Sequence, residues 1–376
     1  MGKTEKGIDD MDFIKGMDVS TLLEEEACGA RYFDGGEEGE LLAILKRYGC
    51  NSVRLRLWND PYGEDGAPYG AGTNDLEKLI TLSKRVKAQG MSILLDFHYS
   101  DFWADPGKQT VPKAWRGFSV SEMEKAVYDY TAMVMECLMK EGVSPDFVQV
   151  GNEITNGLLW PSGKKPEFEN IAKYVSAGIR AVREADKNAQ IMIHLDNGGF
   201  NSMYREWFDE YIKRGEDFDI IGMSYYPAWH GTLGDLTYNM NDMAKRYGKK
   251  ICIAEVSSGF TMEDYKEYEK LPDDERKGIA IKPEILEKLE YPMTKEGQSD
   301  FMQDVMSRIA KVEGGMGFYY WEPGWIPVPG CGWATDAALA YTGEKGPGGN
   351  EWANQALFDY DGNALPTLET IKNFKG

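Results

Sequence analysis

The chain has 376 residues, of which 42% are hydrophobic and 12% aromatic, and its formal net charge at pH 7 is −20. So acidic a surface repels phosphate backbones and anionic lipid, which argues against nucleic-acid and membrane-surface partners but not against neutral polysaccharides. No run of about 18 apolar residues occurs, so no transmembrane helix is expected. The five cysteines are odd in number and form no Cys-x-x-Cys motif, which argues against a disulfide framework and a zinc knuckle.

Eight short β-rich segments alternate with longer helical patterns along the chain. Most of the segments are nearly continuous apolar runs, as expected for a parallel sheet buried on both faces. Helical periodicity follows several of them, for example from Asp75 to Lys87 and from Ser121 to Met139. The predicted strands are Phe13–Asp18, Ser52–Trp58, Ser92–Phe97, Phe147–Gly151, Gln190–Leu195, Phe218–Ser224, Lys250–Glu255 and Met316–Trp321.

These βα repeats predict the α/β class and a single closed (β/α)8 TIM barrel. A doubly wound sheet is the competing topology, but it normally carries a Gly-rich phosphate turn after its first strand, and residues 16–19 do not form one. Long βα loops follow the second, seventh and eighth strands, at 62–73, 257–292 and 322–352. Loops of this length are more often functional than idle.

One domain, residues 11–376, is expected because no internal linker or low-complexity tract interrupts the βα pattern. Residues 1–10 are polar and are expected to be disordered or loosely held. No signal peptide is visible in the chain.

Two apolar runs, 148–153 and 251–255, each end at a glutamate. A buried strand gains nothing from an unpaired acid, so two such endings suggest that the fold brings two carboxylates together. Paired carboxylates hydrolyse glycosidic bonds, because one protonates the departing oxygen while the other attacks the sugar or activates a water. We assign Glu153 as the general acid/base and Glu255 as the nucleophile. For either run alone, a salt bridge from the glutamate to an arginine or lysine is the alternative.

Further polar and aromatic side chains gather at the predicted strand ends, where a barrel carries its active site. Arg54 and Arg56 point to one side of their strand, and an arginine inside the barrel can hold the nucleophile ionised. Asn152 can bond the sugar 2-hydroxyl, and His98 can orient a carboxylate or a hydroxyl. The alternatives are exterior arginines, a backbone-capping asparagine and a core histidine. Other substrate-binding candidates at strand ends are Asp18, Trp58, Asp196, Asn197, Tyr225, Tyr226 and Trp321.

Most of the tryptophans lie at strand ends or in the loops that follow, which suggests a groove that stacks on sugar rings. Trp103 and Trp229 join the substrate-binding candidates for this reason. Carboxylate chemistry requires no cofactor, and without a His-x-x-x-His motif a catalytic zinc is not expected. The metal ligands are unknown, although Asp264, Asp336 and Asn350 in loops 7 and 8 could hold a structural Ca²⁺.

Several long motifs occur along the chain. They are VRLRLW at 53–58, DFHYSDFWADP at 96–106, GNEI at 151–154, GLLWP at 157–161, IHLDNG at 193–198, YYWEPGWIP at 319–327 and NQALFD at 354–359. These motifs resemble glycoside hydrolase family 53, the endo-β-1,4-galactanases, and the resemblance extends from about Phe13 to the C-terminus. It implies a barrel of the large retaining glycosidase clan and endo-hydrolysis, by double displacement, of the β-1,4-galactan side chains of pectin.

The same resemblance implies Glu153 as acid/base and Glu255 as nucleophile, and a cis peptide bond between Trp321 and Glu322. Segments 261–290 and 332–350 match no family pattern, so product length is not predicted. We expect a secreted or cell-surface monomer, with a cytoplasmic one left open. The alternatives are another barrel β-1,4-glycanase of the clan, acting on mannan, xylan or cellulose, and a non-catalytic carbohydrate-binding barrel. Residues implied to line the cleaved sugar are Arg54, His98, Asn152, Tyr225 and Trp321.

Overall fold

The computed structural model describes residues 13–227, 229–265, 286–346 and 348–376. The predicted loose segment 1–10 and residues 266–285 of loop 7 lie outside them. The strands are β1 Ile14–Asp18, β2 Tyr32–Asp34, β3 Glu37–Gly39, β4 Ser52–Leu57, β5 Ser92–Phe97, β6 Phe147–Val150, β7 Gln190–Leu195, β8 Ile220–Tyr225, β9 Lys250–Val256 and β10 Gly315–Tyr320.

Eight of these strands close into a parallel barrel in the order β1-β10-β9-β8-β7-β6-β5-β4. Closure is visible at β1, which pairs with β10 on one side and with β4 on the other. The predicted barrel is therefore confirmed, and the doubly wound alternative is wrong because such a sheet has two open edges. The strand ends differ from those predicted by at most two residues. The hairpin β2–β3, which precedes β4, was not predicted.

Helices connect the strands on the outside of the barrel. Side chains cap two of the longest helices: Asp75 accepts a bond from the amide of Lys78, and Ser119 with Glu122 forms a capping box. The helices are α1 Leu22–Ala27, α2 Leu41–Arg47, α3 Leu76–Ala88, α4 Val120–Lys140, α5 Phe168–Ala185, α6 Asn201–Ile212, α7 Leu233–Tyr247, α8 Lys295–Ile309, α9 Asp336–Thr342 and α10 Pro366–Asn373.

The barrel interior changes from apolar to polar along its axis. A small apolar cluster, which includes Leu94, Phe147, Met192 and Ile220, fills the interior near the amino ends of the strands. Towards the carboxyl ends the inward positions carry charged and amide side chains, as at the strand pairing of Asp96 with Gln149. Because each of these groups is buried, each needs a polar partner, and together they form the floor of a site.

The chain turns sharply where several strands end. Tyr99, Glu153, Asn197 and Glu322 lie within three residues of a strand end and have positive φ angles of 49°, 47°, 53° and 47°. The predicted cis bond between Trp321 and Glu322 is wrong, since the cis bonds of the described residues precede Pro161 and Pro166. The left-handed conformation of Glu322 makes this turn instead.

Candidate active site

A cavity of about 410 Å³ opens at the carboxyl ends of the barrel strands. It is the place where the barrel rule puts an active site. Both predicted catalytic carboxylates line it, together with most of the predicted substrate-binding residues. The predicted residues on its wall are Arg54, His98, Trp103, Asn152, Glu153, Asp196, Tyr226, Trp229, Glu255 and Trp321.

Glu255 lies near the end of β9 and is held by two strong donors. Arg54 Nη2 lies 2.8 Å from Oε1, and the Tyr226 hydroxyl donates to Oε2 at 2.8 Å. The carboxylate is only 6% exposed, so burial raises its pKa, while Arg54 and Tyr226 oppose that rise because they stabilise the ionised form. A carboxylate bonded on both oxygens is oriented, and both of these contacts favour its ionised form, which a nucleophile needs.

Glu153 lies just beyond β6 in a different environment. Its Oε1 accepts a hydrogen bond of 2.6 Å from the hydroxyl of Ser224, which is a neutral donor. Burial raises the pKa of Glu153 well above its usual value, and the negative charges of Glu255, Asp196 and Asp105 raise it further. Glu153 therefore keeps its proton at a pH at which an ordinary carboxyl has lost it.

The different partners of the two carboxyls separate their roles. Asp18 and Asp96 raise the pKa of Glu255 as well, but the cation of Arg54 opposes them. The negative neighbours of Glu153 are opposed by the neutral hydroxyl of Ser224. When the surroundings push the pKa values of two titratable groups in one site apart, they indicate which group is the acid and which is the base. The assignment of Glu153 as acid and Glu255 as nucleophile stays a prediction, and these contacts support it.

Arg54 is the charged centre of the floor. Its guanidinium contacts Asp18 at 2.7 Å and Asp96 at 2.8 Å in addition to Glu255. His98 contacts the same oxygen of Asp96 at 3.0 Å, so it orients a carboxylate as predicted. The prediction that Arg54 points into the barrel is confirmed, because its side chain is 1% exposed among these acids.

Asn152 lies beside the floor and is fixed on both ends of its amide. Its Oδ1 accepts a bond from Arg54 Nη2 at 2.8 Å, and its Nδ2 donates to the carbonyl of Ala104 at 2.9 Å. One hydrogen of Nδ2 remains beyond this bond, since an amide carries two. A sugar hydroxyl in the cavity could accept it.

Arg56, two residues further along β4, also points inward. Its Nη1 lies 2.6 Å from Glu322 Oε1, and its guanidinium carbon lies 4.3 Å from the ring centre of Trp103. Burial raises the pKa of Glu322 to about 7, and Arg56 opposes this rise. Arg56 thus ties the loop after β10 to the wall on which Trp103 lies.

Four predicted substrate-binding residues lie away from the cavity wall. Tyr225 points outward, where its hydroxyl donates to the carbonyl of Gly231 and its ring stacks on Phe301. Asn197 donates to the carboxylate of Asp196. The other two lie behind the wall and support it: Asp18 through Arg54, and Trp58 through a 3.2 Å bond from its Nε1 to His98 Nδ1.

The site also has residues that were not predicted, both behind the cavity wall and on it. Ser224 was predicted within a strand but not as a site residue, although its inward position follows from strand alternation once Tyr225 is known to point outward. The others line the cavity and come from the loops after β5, β8 and β10. They are Ala104, Asp105, Pro106, Lys108, His230, Trp325, Trp333, Glu344, Glu351 and Trp352.

Aromatic rings form a continuous wall along the cavity. Trp321 lies between Trp103 and Trp352, with ring centres 6.3 Å and 6.0 Å away. Trp352 in turn lies 5.9 Å from Trp229, which is 40% exposed at the mouth. Flat apolar faces next to carboxylates suit a sugar, whose ring stacks while its hydroxyls bond to polar groups.

In residues 13–227, 229–265, 286–346 and 348–376, no group of three or more His, Cys, Asp or Glu side chains is arranged to hold a metal ion. Of the candidate Ca²⁺ ligands, Asn350 uses its amide in bonds to the carbonyl of Trp325 and the backbone of Trp352. Across the same residues, every helix is too short or too polar to cross a bilayer.

Comparisons with known proteins agree with this site. Residues 14–371 match the family model described as glycosyl hydrolase family 53. An endo-β-1,4-galactanase of Bacillus subtilis is 39% identical over 96% of this chain and 86% of its own length. An arabinogalactan endo-β-1,4-galactanase of Humicola insolens is 35% identical over 95% and 98%. The solved GH53 catalytic domain of Ignisphaera aggregans superposes with a TM-score of 0.87 at 39% identity, covering 96% of this chain and 95% of its own.

Proposed function

The chain belongs to glycosyl hydrolase family 53 and is a glycoside hydrolase, and on that premise we propose that it cleaves internal β-1,4-galactosidic bonds of galactan and arabinogalactan. The single observation that carries this proposal is the pair of buried carboxylates with opposite surroundings on one sugar-sized cavity. The names of the relatives, which include galactan-cleaving enzymes, supply the substrate class.

In the proposed mechanism the anomeric configuration is retained through double displacement. Glu255 attacks the anomeric carbon while Glu153 protonates the departing oxygen. In the second step Glu153 takes a proton from water, which then displaces Glu255. Enzymes of this kind hold their carboxyls about 5–5.5 Å apart, whereas inverting enzymes leave room for a water between them.

Other residues on the wall support the two carboxylates in this proposal. Arg54 and Tyr226 keep Glu255 ionised and oriented. The free hydrogen of Asn152 is directed to the 2-hydroxyl, whose contacts strengthen at the transition state. The rings of Trp321 and Trp229 stack on the sugars. Substrate-binding roles for His98, Trp103 and Asp196 rest on their place on the same wall.

No cofactor is needed for these steps, because protonation and nucleophilic attack both come from carboxyl groups. We propose residues 11–376 as one catalytic domain that acts as a monomer. We propose a secreted or cell-surface location, since a polymer too large to cross a membrane must be cut outside the cell.

A panel of polymers tests the substrate. Galactan, mannan, xylan and carboxymethylcellulose are each incubated with the enzyme, and the reducing ends and product sizes are measured. Galactan is expected to release a ladder of oligosaccharides, with the β-anomer appearing first in the proton NMR spectrum. Cleavage of mannan or xylan without cleavage of galactan would overturn the substrate, and an initial α-anomer would overturn retention.

A further inference from the structure

A chain of buried hydrogen bonds leads from Glu153 into the barrel. Ser224 Oγ lies 2.6 Å from Glu153 Oε1, His194 Nε2 lies 2.8 Å from Ser224 Oγ, and Gln149 Nε2 lies 3.1 Å from His194 Nδ1. Ser224, His194 and Gln149 each have an exposed fraction of 0%. None of them lines the cavity, so they act on the substrate through side chains that do, and Ser224 acts through the carboxyl of Glu153.

The number of available hydrogens links the directions of these bonds. A serine hydroxyl has one hydrogen, so when Ser224 donates it to Glu153 Oε1, Ser224 Oγ can only accept a hydrogen from His194 Nε2. Burial lowers the pKa of His194 well below its usual value, so the ring is neutral and carries a single N–H. Nδ1 is then an acceptor, and the amide of Gln149 faces it as a donor.

The orientation of Gln149 is fixed independently. Its Oε1 accepts a bond from Arg54 Nε at 3.2 Å, and its Nε2 donates to Asp96 Oδ1 at 2.6 Å. The NH₂ end of the amide therefore faces His194.

The other tautomer of His194, protonated on Nδ1, would reverse the direction of these hydrogen bonds. Nδ1–H would donate to Asn152 Oδ1, which lies 3.0 Å away, and Ser224 would donate to Nε2. Ser224 would then have no hydrogen for Glu153. Asn152 Oδ1 has two lone pairs and already faces two other donors, Arg54 Nη2 at 2.8 Å and Gln149 Nε2 at 3.1 Å, so the contacts favour the Nε2–H tautomer.

We propose that Ser224, held by the Nε2–H tautomer of His194, is a positioning residue that occupies Oε1 of Glu153 and so directs the catalytic proton to Oε2. This inference rests on the acid/base role proposed for Glu153. With Oε1 occupied, Oε2 is the oxygen left for the substrate. In the first step the Oε2–H bond breaks as the glycosidic oxygen gains that proton and its bond to the anomeric carbon breaks. In the second step a water proton returns to Oε2.

Ser224 opposes the effect of the charged groups around Glu153 on the pKa of that carboxyl. Three charged groups raise the pKa of Glu153: Glu255 on β9, Asp196 after β7 and Asp105 after β5. The hydrogen bond from Ser224 lowers that pKa. The hydroxyl of Tyr226 also faces this carboxyl. The charged or titratable groups that face His194 are Arg54, Asp96, His98 and His230.

The first experiment is the pH profile of a Ser224→Ala variant. Loss of a donor to the ionised carboxyl is expected to move the alkaline limb of kcat/KM upward by about one pH unit. Turnover of galactan at the optimum is expected to fall about tenfold, as for a disturbed general acid. A dinitrophenyl β-galactobioside should lose less, because its leaving group departs without a proton.

A Ser83→Ala variant is the matched control. Ser83 is a buried serine of α3 with an exposed fraction of 0%, far from Glu153 in the chain, and its loss should leave both limbs of the profile in place. An alkaline limb of Ser224→Ala that stays in place or moves down overturns the proposal, as does an equal loss on both substrates. Failure of the unaltered enzyme to cleave any polymer instead refutes the proposed function.

The second experiment leaves Ser224 unchanged, so it does not depend on the folding of the Ser224→Ala variant. The chain has three histidines, so the unaltered protein labelled with ¹⁵N-histidine gives a small set of ring signals. His98→Gln and His230→Gln variants identify the signals of His194 by elimination. The expected chemical shifts are those of a neutral ring protonated on Nε2. A ring protonated on Nδ1 would overturn the proposal.

Discussion

The two sides of the site place the same type of side chain in different surroundings, which fit the opposite tasks proposed for Glu255 and Glu153. On the β9 side, Glu255 contacts a guanidinium and a phenol hydroxyl, both of which stabilise negative charge. On the β6 side, Glu153 contacts one neutral hydroxyl and is near three further carboxylates. Both carboxyls are almost equally buried, at 6% and 8% exposure, so burial alone does not separate them. The identity of the neighbours does.

The largest expected effect comes from removing the nucleophile. Glu255→Ala should lower kcat on galactan by about 10⁴-fold or more, because the covalent step is lost. Added azide should restore turnover and give the α-galactosyl azide, whereas Glu153→Ala with azide should give the β-product on an activated substrate. NMR of the azide product distinguishes the two variants by the anomer that each one forms. A Glu369→Ala variant on α10 serves as a control, and the same azide anomer from both catalytic variants would contradict the division of roles.

Removal of the Arg54 guanidinium should destabilise the buried acids at the floor of the site. Arg54→Met leaves Asp18, Asp96 and Glu255 buried without their common partner. We expect the free energy of unfolding to fall by about 3–5 kcal/mol, as measured for broken buried pairs. Urea unfolding followed by tryptophan fluorescence checks this value.

Arg47→Met is the matched control for Arg54, since the pair of Arg47 with Asp34 lies at the surface and should contribute little. Equal loss of stability in the two variants would mean that Arg54 does not organise the floor.

Tyr226→Phe should change the pH dependence of activity through Glu255. The hydroxyl stabilises ionised Glu255, so its loss raises the pKa of that carboxyl. Glu255 must be ionised to attack, so the acid limb of kcat/KM should move upward by about one pH unit. Tyr225→Phe is the adjacent control, because its hydroxyl bonds to Gly231 outside the cavity. An unmoved acid limb in Tyr226→Phe, or equal shifts in both, would refute this role.

The smallest effect is expected at the mouth, far from both carboxylates. Trp229 is 40% exposed, and its loss removes one stacking face for an outer sugar. Trp229→Ala should raise KM for long galactan about fivefold with little change in kcat. Trp160→Ala, a half-buried tryptophan that does not line the cavity, is the control. A large fall in kcat in Trp229→Ala would place this ring closer to the reaction than proposed.

The barrel, and the place of Glu153 and Glu255 on one cavity, could be predicted from the sequence because both rest on local signals. Alternation along β4 places Arg54 and Arg56 on one face, and the structure confirms that this face is interior. Each glutamate ends an apolar run, so its place at the mouth follows from the barrel topology.

Contacts between distant segments could not be predicted in this way. Tyr225 and Tyr226 are adjacent aromatic residues, and the sequence does not show that it is Tyr225 that points outward to stack on Phe301 of α8. Glu344, Glu351 and Trp352 reach the cavity through the path of loop 8, which no periodicity describes. The cis bond implied by family resemblance at Trp321 was wrong because Glu322 turns the chain through its φ angle.

The positive φ angles at the strand ends have a consequence for engineering this fold. A non-glycine residue in that conformation costs of the order of 1 kcal/mol, and Glu153 is one of these residues. Glycine at position 153 would relieve the strain and abolish the acid, so the inactive Glu153→Gly protein should unfold at a higher temperature than Glu153→Ala. Thermal stability and the proposed acid function therefore favour different residues at position 153. Substitutions that raise the unfolding temperature are better sought on the outer helices.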